Sequence, residues 1–203
     1  MKNFIDQIKL LSYGELDYFI TDSNLKVLDH VVDNAAILSG SFNPIHHGHR
    51  KLLDYCSKNY DKNKYYEISL FNVDKPEIAG DDLRSRLKKF SKDEKIIITK
   101  SSKFIEKAIL FPSSYFVIGY DTALRLLDES YLNKGESLDD LFSVIEDKKC
   151  KFIVAGRVDV TGKKFDNLKL ENISFTYKHL FDLIEEKDFR EDVSSTEKRR
   201  QDN

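Results

Sequence analysis

The chain has 203 residues and a formal net charge of −2, with 40% hydrophobic and 33% charged residues. That apolar share can build a full core beneath an ordinary soluble surface, and the near-neutral charge argues against a general nucleic-acid or membrane binder. No apolar run approaches the roughly 20 residues needed to span a bilayer, Asp6 and Lys9 interrupt any signal-peptide core, and two cysteines without a C-x-x-C pair suit a reducing compartment, so the expected location is cytoplasmic.

Residues 1 to about 33 place Phe4, Ile5, Ile8, Leu11 and Leu16 at helix-like spacing, followed by Tyr18, Phe19 and Ile20. They read as one or two helices forming an N-terminal extension, with the main domain spanning 34–203. Ala35–Ser39 is a short apolar run that predicts the first buried strand, and Gly48–Lys58 a helix. Tyr65–Phe71 predicts a second strand, ending in the loop Asn72-Val73-Asp74-Lys75-Pro76. Asp81–Phe90 is an amphipathic helix, Ile96–Thr99 a fully apolar strand, and Lys103–Phe111 a helix stopped by Pro112. Tyr115–Gly119 is the fourth strand and leads into a helix ending near Asp128. Leu138–Glu146 is a helix, Lys151–Ala155 the fifth strand, Asp166–Phe175 a hairpin or edge element, and Tyr177–Glu186 a helix. Strands alternating with helices predict an α/β, Rossmann-like, doubly wound parallel sheet of about five strands with helices on both faces. Ligands of such sheets bind outside the carboxyl ends of the strands.

The stretch Gly40-Ser41-Phe42-Asn43-Pro44-Ile45-His46-His47-Gly48-His49 follows the first strand and opens its helix. Gly40 permits a tight turn at the strand end, and Pro44 stiffens the approach to the helix. A helix N-terminus reached in this way is an anion site, because its first N–H groups lack partners within the helix and carry partial positive charge. His46 and His49 lie three apart, so both rings fall on one face beside that site. A zinc site is the alternative use of such histidines. It is disfavoured because neither Cys56 nor Cys150 lies near in sequence.

Near the other end, Val193-Ser194-Ser195-Thr196-Glu197-Lys198-Arg199 reads as a helix start, with a serine cap, Glu197 in the first turn and the forked donor Arg199. Phe116-Val117-Ile118-Gly119-Tyr120-Asp121 is a strand end with Asp121 placed to cap the next helix.

These residues together resemble the nucleotidylyltransferase superfamily, whose signature is a strand, a Gly-Ser/Thr-Phe-Asp/Asn-Pro loop and His-x-Gly-His. Here the match is carried by Gly40, Ser41, Phe42, Asn43, Pro44, His46, Gly48 and His49. Ser194, Ser195, Thr196 and Arg199 resemble the family's second signature, with Lys198 standing where an aliphatic residue is usual. The Phe116–Asp121 element resembles the nicotinamide mononucleotide adenylyltransferase branch. The resemblance implies that His46, His49 and Arg199 act on the phosphates during catalysis. It further implies that Gly40, Ser41, Phe42, Asn43, Gly48, Gly119, Asp121, Arg157, Ser194, Ser195 and Thr196 bind the nucleotide. Asn72 and Lys75 would then face the acceptor.

The implied activity is transfer of AMP from ATP to a phosphate-bearing acceptor, nicotinamide or nicotinate mononucleotide first among them, with release of pyrophosphate. Mg2+ would accompany ATP, with no metal site built from protein side chains. The partners expected are ATP and a small phosphorylated acceptor, with no nucleic acid and no membrane; self-association as a homo-oligomer is left open. Two alternatives remain at this stage: a cytidylyltransferase or other adenylyltransferase with a different acceptor, and a nucleotide-binding protein with only residual ATP hydrolysis.

Overall fold

A computed structural model of the protein describes residues 2–29, 31–71, 78, 80–132, 135–158 and 164–190. In chain order the strands are β1 (Tyr18–Thr21), β2 (Val27–Leu28), β3 (Ala35–Ser39), β4 (Asn63–Ser69), β5 (Ile96–Thr99), β6 (Tyr115–Gly119), β7 (Lys151–Ala155), β8 (Arg157–Val158), β9 (Phe165–Asp166) and β10 (Phe181–Ile184). The helices are α1 (Phe4–Tyr13), α2 (His47–Tyr60), α3 (Gly80–Leu87), α4 (Phe104–Leu110), α5 (Tyr120–Leu126) and α6 (Leu138–Asp147).

Eight of the strands described form one sheet in the order β10-β7-β6-β3-β4-β5-β1-β2. From β10 to β5 every neighbour is parallel, while β1 runs antiparallel to β5 and β2 antiparallel to β1. The chain steps outward from β3 through β4 to β5, then returns to the other side of β3 as β6 and β7. The strand order therefore reverses between β3 and β6, and a crevice opens there at the carboxyl ends.

Side-chain alternation divides the core into two layers. Ala36, Leu38, Tyr66, Ile68 and Ile98 point to one face, where α1, α2 and α3 bury Leu11, Leu53 and Leu83. Ala35, Ile37, Tyr65, Ile97 and Phe116 point to the other, under Ala108 of α4, Ala123 of α5 and Ile145 of α6. The α/β class and the alternation of helices and strands match the reading of the sequence. The central elements fall within a few residues of their expected positions.

Two segments differ. Tyr18–Thr21, read as a continuation of helix, is strand β1, paired with Ile96–Thr99. The first helix stops at Gly14, and Tyr18, Phe19, Ile20 and Thr21 are each aromatic or β-branched, which suits a pleated surface. Pairing also covers an otherwise open edge of β5. Tyr177–Glu186, read as a helix, divides into a 3-10 segment at Phe175–Leu180 and strand β10. Its apolar residues at 177, 180, 181 and 184 satisfy a helical period, but the free edge of β7 captures Phe181–Ile184 as a parallel strand. With β2 (Val27–Leu28), which also lies in the stretch read as helical and pairs with β1, these additions raise the sheet from about five strands to eight. Of Asp166–Phe175, read as a hairpin or edge element, only Asp166 is in a strand: β9 closes a two-stranded ribbon with β8, and Leu170–Asn172 is a 3-10 turn.

Phe152 in β7 is fully buried and meets the rings of Phe104, Phe116 and Phe181 at centroid distances of 5.3, 6.0 and 5.1 Å. Truncating a buried phenylalanine removes its transfer energy and leaves a cavity, so Phe152→Ala should lose about 3–5 kcal/mol of stability. Urea denaturation of the variant checks this. A loss below about 1 kcal/mol would show that the aromatic layer is loosely packed.

Candidate active site

The site begins where β3 ends. Gly40 continues the parallel pairing, its N–H donating to the Glu67 carbonyl at 3.0 Å, so this N–H serves the sheet and is not a phosphate donor. A Cβ on Gly40 would lie 3.0 Å from the Phe42 ring, so the loop passes too close to its own aromatic for a side chain there. Phe42 is buried, with a positive φ of 42°, and its ring packs edge-on against Tyr66, Phe90 and His49. Its side chain is thus a plug that holds the loop to the core, and only its backbone can face a ligand. Arg86 of α3 fastens the loop from outside: Nη1 donates to the Ser41 carbonyl at 2.9 Å while the guanidinium grips Asp82 one turn back.

His46 is the N-cap residue of α2 and is buried. Its ring stacks on that of His49, with centroids 3.7 Å apart and planes inclined by 25°. The His46 backbone N–H donates to His49 Nδ1 at 3.3 Å. That bond requires an unprotonated Nδ1 and so assigns the His49 proton to Nε2. Burial, then the adjacent His46 and Arg50, lower the His49 pKa from 6.5 to about 3. At neutral pH His49 is therefore an uncharged N–H donor with a defined tautomer. Gly48 is buried between the two histidines, while Asn43 is exposed and Pro44 half-buried in the loop ahead of them.

Arg50, next along α2, anchors the first turn. Its Nε and Nη2 meet the two oxygens of Glu94 at 2.9 and 3.2 Å, and Nη2 also donates to the Lys89 carbonyl at 3.0 Å. Glu94 further accepts from Tyr66 Oη at 3.1 Å and from the Ser91 N–H at 2.6 Å. This clamp ties the start of α2 to the loop between α3 and β5, and it raises the Arg50 pKa, chiefly through the Glu94 hydrogen bond.

Across the switch point, β6 ends at Gly119. A Cβ built on Gly119 meets nothing within 4 Å, so protein packing does not demand glycine and the space is open. Asp121, in the first turn of α5, forms an ion pair with Arg157 of β8. Two residues separately expected at the nucleotide are thus brought together. The pair is largely exposed and worth at most about 1 kcal/mol, so a ligand can compete for either partner.

On the α4–α5–α6 side of the same edge lies a cavity of about 280 Å³, whose wall includes Ser39, Ser41, Glu67, Ser69, Lys107 and Tyr131. The Ser39 hydroxyl is buried there without a hydrogen-bond partner among the described residues. The loop Gly40–Ser41 forms its near wall, and the histidines start α2 on the opposite face of the sheet. Sequence reasoning missed Arg86, the Arg50–Glu94 clamp, Glu67 and Lys107. A signal existed for Glu67: in the run Tyr65-Tyr66-Glu67-Ile68-Ser69, polar residues interrupt one face of an otherwise buried strand. Asn72, Lys75, Ser194, Ser195, Thr196 and Arg199 lie outside the described residues. Among the described residues no group of three or more His, Cys, Asp or Glu side chains could hold a metal ion, and none of the helices is long and apolar enough to cross a membrane.

A family model described as cytidylyltransferase-like matches residues 37–201. A relative from Fusobacterium nucleatum, named as a probable nicotinate-nucleotide adenylyltransferase, is 34% identical over 149 residues, which cover 68% of this chain and 75% of its own length.

The low His49 pKa carries a stability consequence. Between pH 6.5 and about 3 the unfolded chain binds a proton on this ring and the folded chain does not. Stability is then fully present above pH 6.5 and falls on acidification through that window, by about 1.4 kcal/mol per pH unit. Urea denaturation of wild type and His49→Asn at pH 6.5 and pH 5 should show the wild type losing more by about that slope. Parallel pH dependences would contradict the assignment of His49 as a neutral, largely desolvated ring.

Proposed function

The chain belongs to the cytidylyltransferase-like family of nucleotidyltransferases, and from that premise we propose that it transfers AMP from ATP to nicotinamide or nicotinate mononucleotide and releases pyrophosphate. The observation that carries this reading is the stacked His46–His49 pair at the start of α2, set at the carboxyl end of β3 with His49 held neutral. An acceptor phosphate oxygen attacks the α-phosphorus of ATP, and the bond from that phosphorus to the pyrophosphate oxygen breaks. No covalent enzyme intermediate is needed, so the protein supplies position and charge stabilisation. His49 donates its Nε2–H to an α-phosphate oxygen as negative charge builds, and His46 supports the same phosphate from the stacked position. The N-terminus of α2 adds its dipole.

Gly40, Ser41, Asn43 and Gly48 bring the loop backbone beside the triphosphate, and the Phe42 ring fixes that loop. Gly119 leaves room for the ribose, with Asp121 and Arg157 at its hydroxyls and base. The second signature, Ser194, Ser195, Thr196 and Arg199, holds the outer phosphates in this reading, and Asn72 and Lys75 approach the acceptor. Mg2+ would accompany the triphosphate and offset its charge, with no protein side chain among the described residues assigned to hold it. The cavity beside Gly40–Ser41 takes the acceptor, whose phosphate then points back across the loop toward the α-phosphate.

Pyrophosphate release measured with ATP or CTP against a panel of phosphorylated acceptors tests the assignment. ATP with a pyridine mononucleotide should give acceptor-dependent release. Use of CTP alone, or release independent of any acceptor, would overturn it. In the same assay His49→Ala should lower kcat by at least about a hundredfold with the ATP KM within a few-fold, since the lost donor acts on transition-state charge. A wild-type rate in that variant would remove His49 from the mechanism.

A second variant examines the nucleotide side. The backbone of Gly119, at φ −82° and ψ 164°, is one any residue adopts, and its surroundings are open. Gly119→Ala should melt within a few degrees of wild type yet raise the ATP KM by about tenfold or more, because the added methyl occupies space assigned to the ribose. An unchanged KM would place the ribose elsewhere.

A further inference from the structure

The cavity assigned to the acceptor has an unusual floor. Period-two alternation turns Ser39, Glu67, Ser69 and Thr99 to the same sheet face as Ile37, Tyr65 and Ile97. Near the carboxyl edge the apolar layer thus gives way to polar side chains. Glu67 is 1% exposed, Thr99 0% and Lys107 5%. Thr99 donates its hydroxyl to Glu67 Oε1 at 2.6 Å, and Lys107 of α4 donates to Oε2 at 2.8 Å. Stability alone does not call for this arrangement, because well-packed apolar residues commonly replace a buried ion pair without loss. Both Glu67 and Lys107 reach the cavity wall.

The pair has hydrogen-bonding capacity left over. An ammonium has three donors, and one of those of Lys107 goes to Glu67. Each carboxylate oxygen retains a lone pair beyond the bond it accepts. The floor therefore offers a donor and an acceptor side by side with no net charge. The rest of the described wall is balanced too, its cations Lys103 and Arg125 matching its anions Glu136 and Asp140.

Resting on the reading of this cavity as the acceptor site, we propose that the Glu67–Lys107 pair selects the acceptor: it takes an uncharged group that both donates and accepts, a carboxamide or a hydroxyl, and disfavours a carboxylate. A carboxamide oxygen accepts from Lys107 while its NH2 donates to Glu67, and a hydroxyl satisfies both in the same way. A carboxylate satisfies Lys107 but sets its second oxygen against Glu67, where like charges in a desolvated wall repel. Among pyridine mononucleotides the pair thus favours the nicotinamide over the nicotinate form.

The test compares kcat/KM for matched acceptors with ATP, using the full chain. One match is nicotinamide against nicotinic acid mononucleotide, the other glycerol 3-phosphate against 3-phosphoglycerate. Wild type should favour the uncharged member of whichever match it uses by about tenfold or more. Glu67→Gln keeps the side chain's shape and gives the floor a positive charge, so the ratio should move toward the acid by about tenfold. The double variant Glu67→Gln with Lys107→Met is neutral and avoids a lone buried charge; its discrimination should fall to within about threefold. A ratio between acceptors reports selection and is untouched by a loss of folded protein, so it separates selection from a structural role. Equal use of both members by wild type, preference for the acid, or a Glu67→Gln ratio identical to wild type would overturn the inference while leaving the cavity as acceptor site. Turnover of no member of either match would overturn the cavity assignment itself, and the inference with it.

Discussion

Parallel pairing of β3 with β4 on one side and β6 on the other is the constraint from which the site follows. Parallel neighbours cannot be joined by a tight turn, so each connection must cross the sheet through a helix and return to the same end. The carboxyl ends of the parallel strands then share one edge, and past the last ladder bonds, such as that of Gly40, the loops leaving it are relieved of duty in the sheet. Because the chain leaves β3 toward β4 and later returns on its other side as β6, the loops at the carboxyl ends of β3 and β6 diverge and leave a gap between them. The start of α2, the Gly40–Ser41 loop and the Gly119 turn meet around that gap.

A reaction without a covalent intermediate depends on how firmly its donors are held, and much of the polar structure here serves that purpose. Arg86 holds the Ser41 carbonyl, Arg50 and Glu94 hold the first turn of α2, and the Phe42 ring holds the loop to Tyr66 and Phe90. None of these groups needs to touch a substrate. Their effect is to fix His46 and His49 against each other, with burial keeping His49 uncharged. A neutral imidazole whose other nitrogen is already bonded to backbone has one orientation and one proton to offer. Cys56, farther down the same helix, is buried in the core, its thiol pushed up to about 12 by that burial. It belongs to the packing and not to the chemistry.

The buried charges divide between the two faces of the edge. On the α2 side they anchor the Gly40–Ser41 loop and the first turn of α2, and on the α4 side Glu67 and Lys107 form the floor of a cavity. The loop between the two is only a few residues wide. The cavity and the histidines therefore lie at one carboxyl edge of the sheet, on its opposite faces.

What the residue order determined by itself is the part whose parts are neighbours in sequence. The run from Ala35 to Tyr60 carries its own strand, turn and helix signals. His46 and His49 lie within one helical turn, so local backbone geometry alone sets them side by side, and the signature could be read without the fold. The period-two and helical patterns of the central elements were legible for the same reason. The tertiary structure decided whatever depends on distant partners. Tyr18–Thr21 and Phe181–Ile184 carry ambiguous short patterns, and each became a strand because an open sheet edge offered hydrogen bonds that a short isolated helix cannot match. Glu67, Thr99 and Lys107 lie far apart in sequence and meet only because β4, β5 and α4 are stacked by successive crossovers. The pairing of Asp121 with Arg157 likewise needs α5 and β8 at one edge. Local periodicity reports which face a residue occupies, but it carries no information about which distant residue stands opposite, and that is set by the order of strands in the sheet.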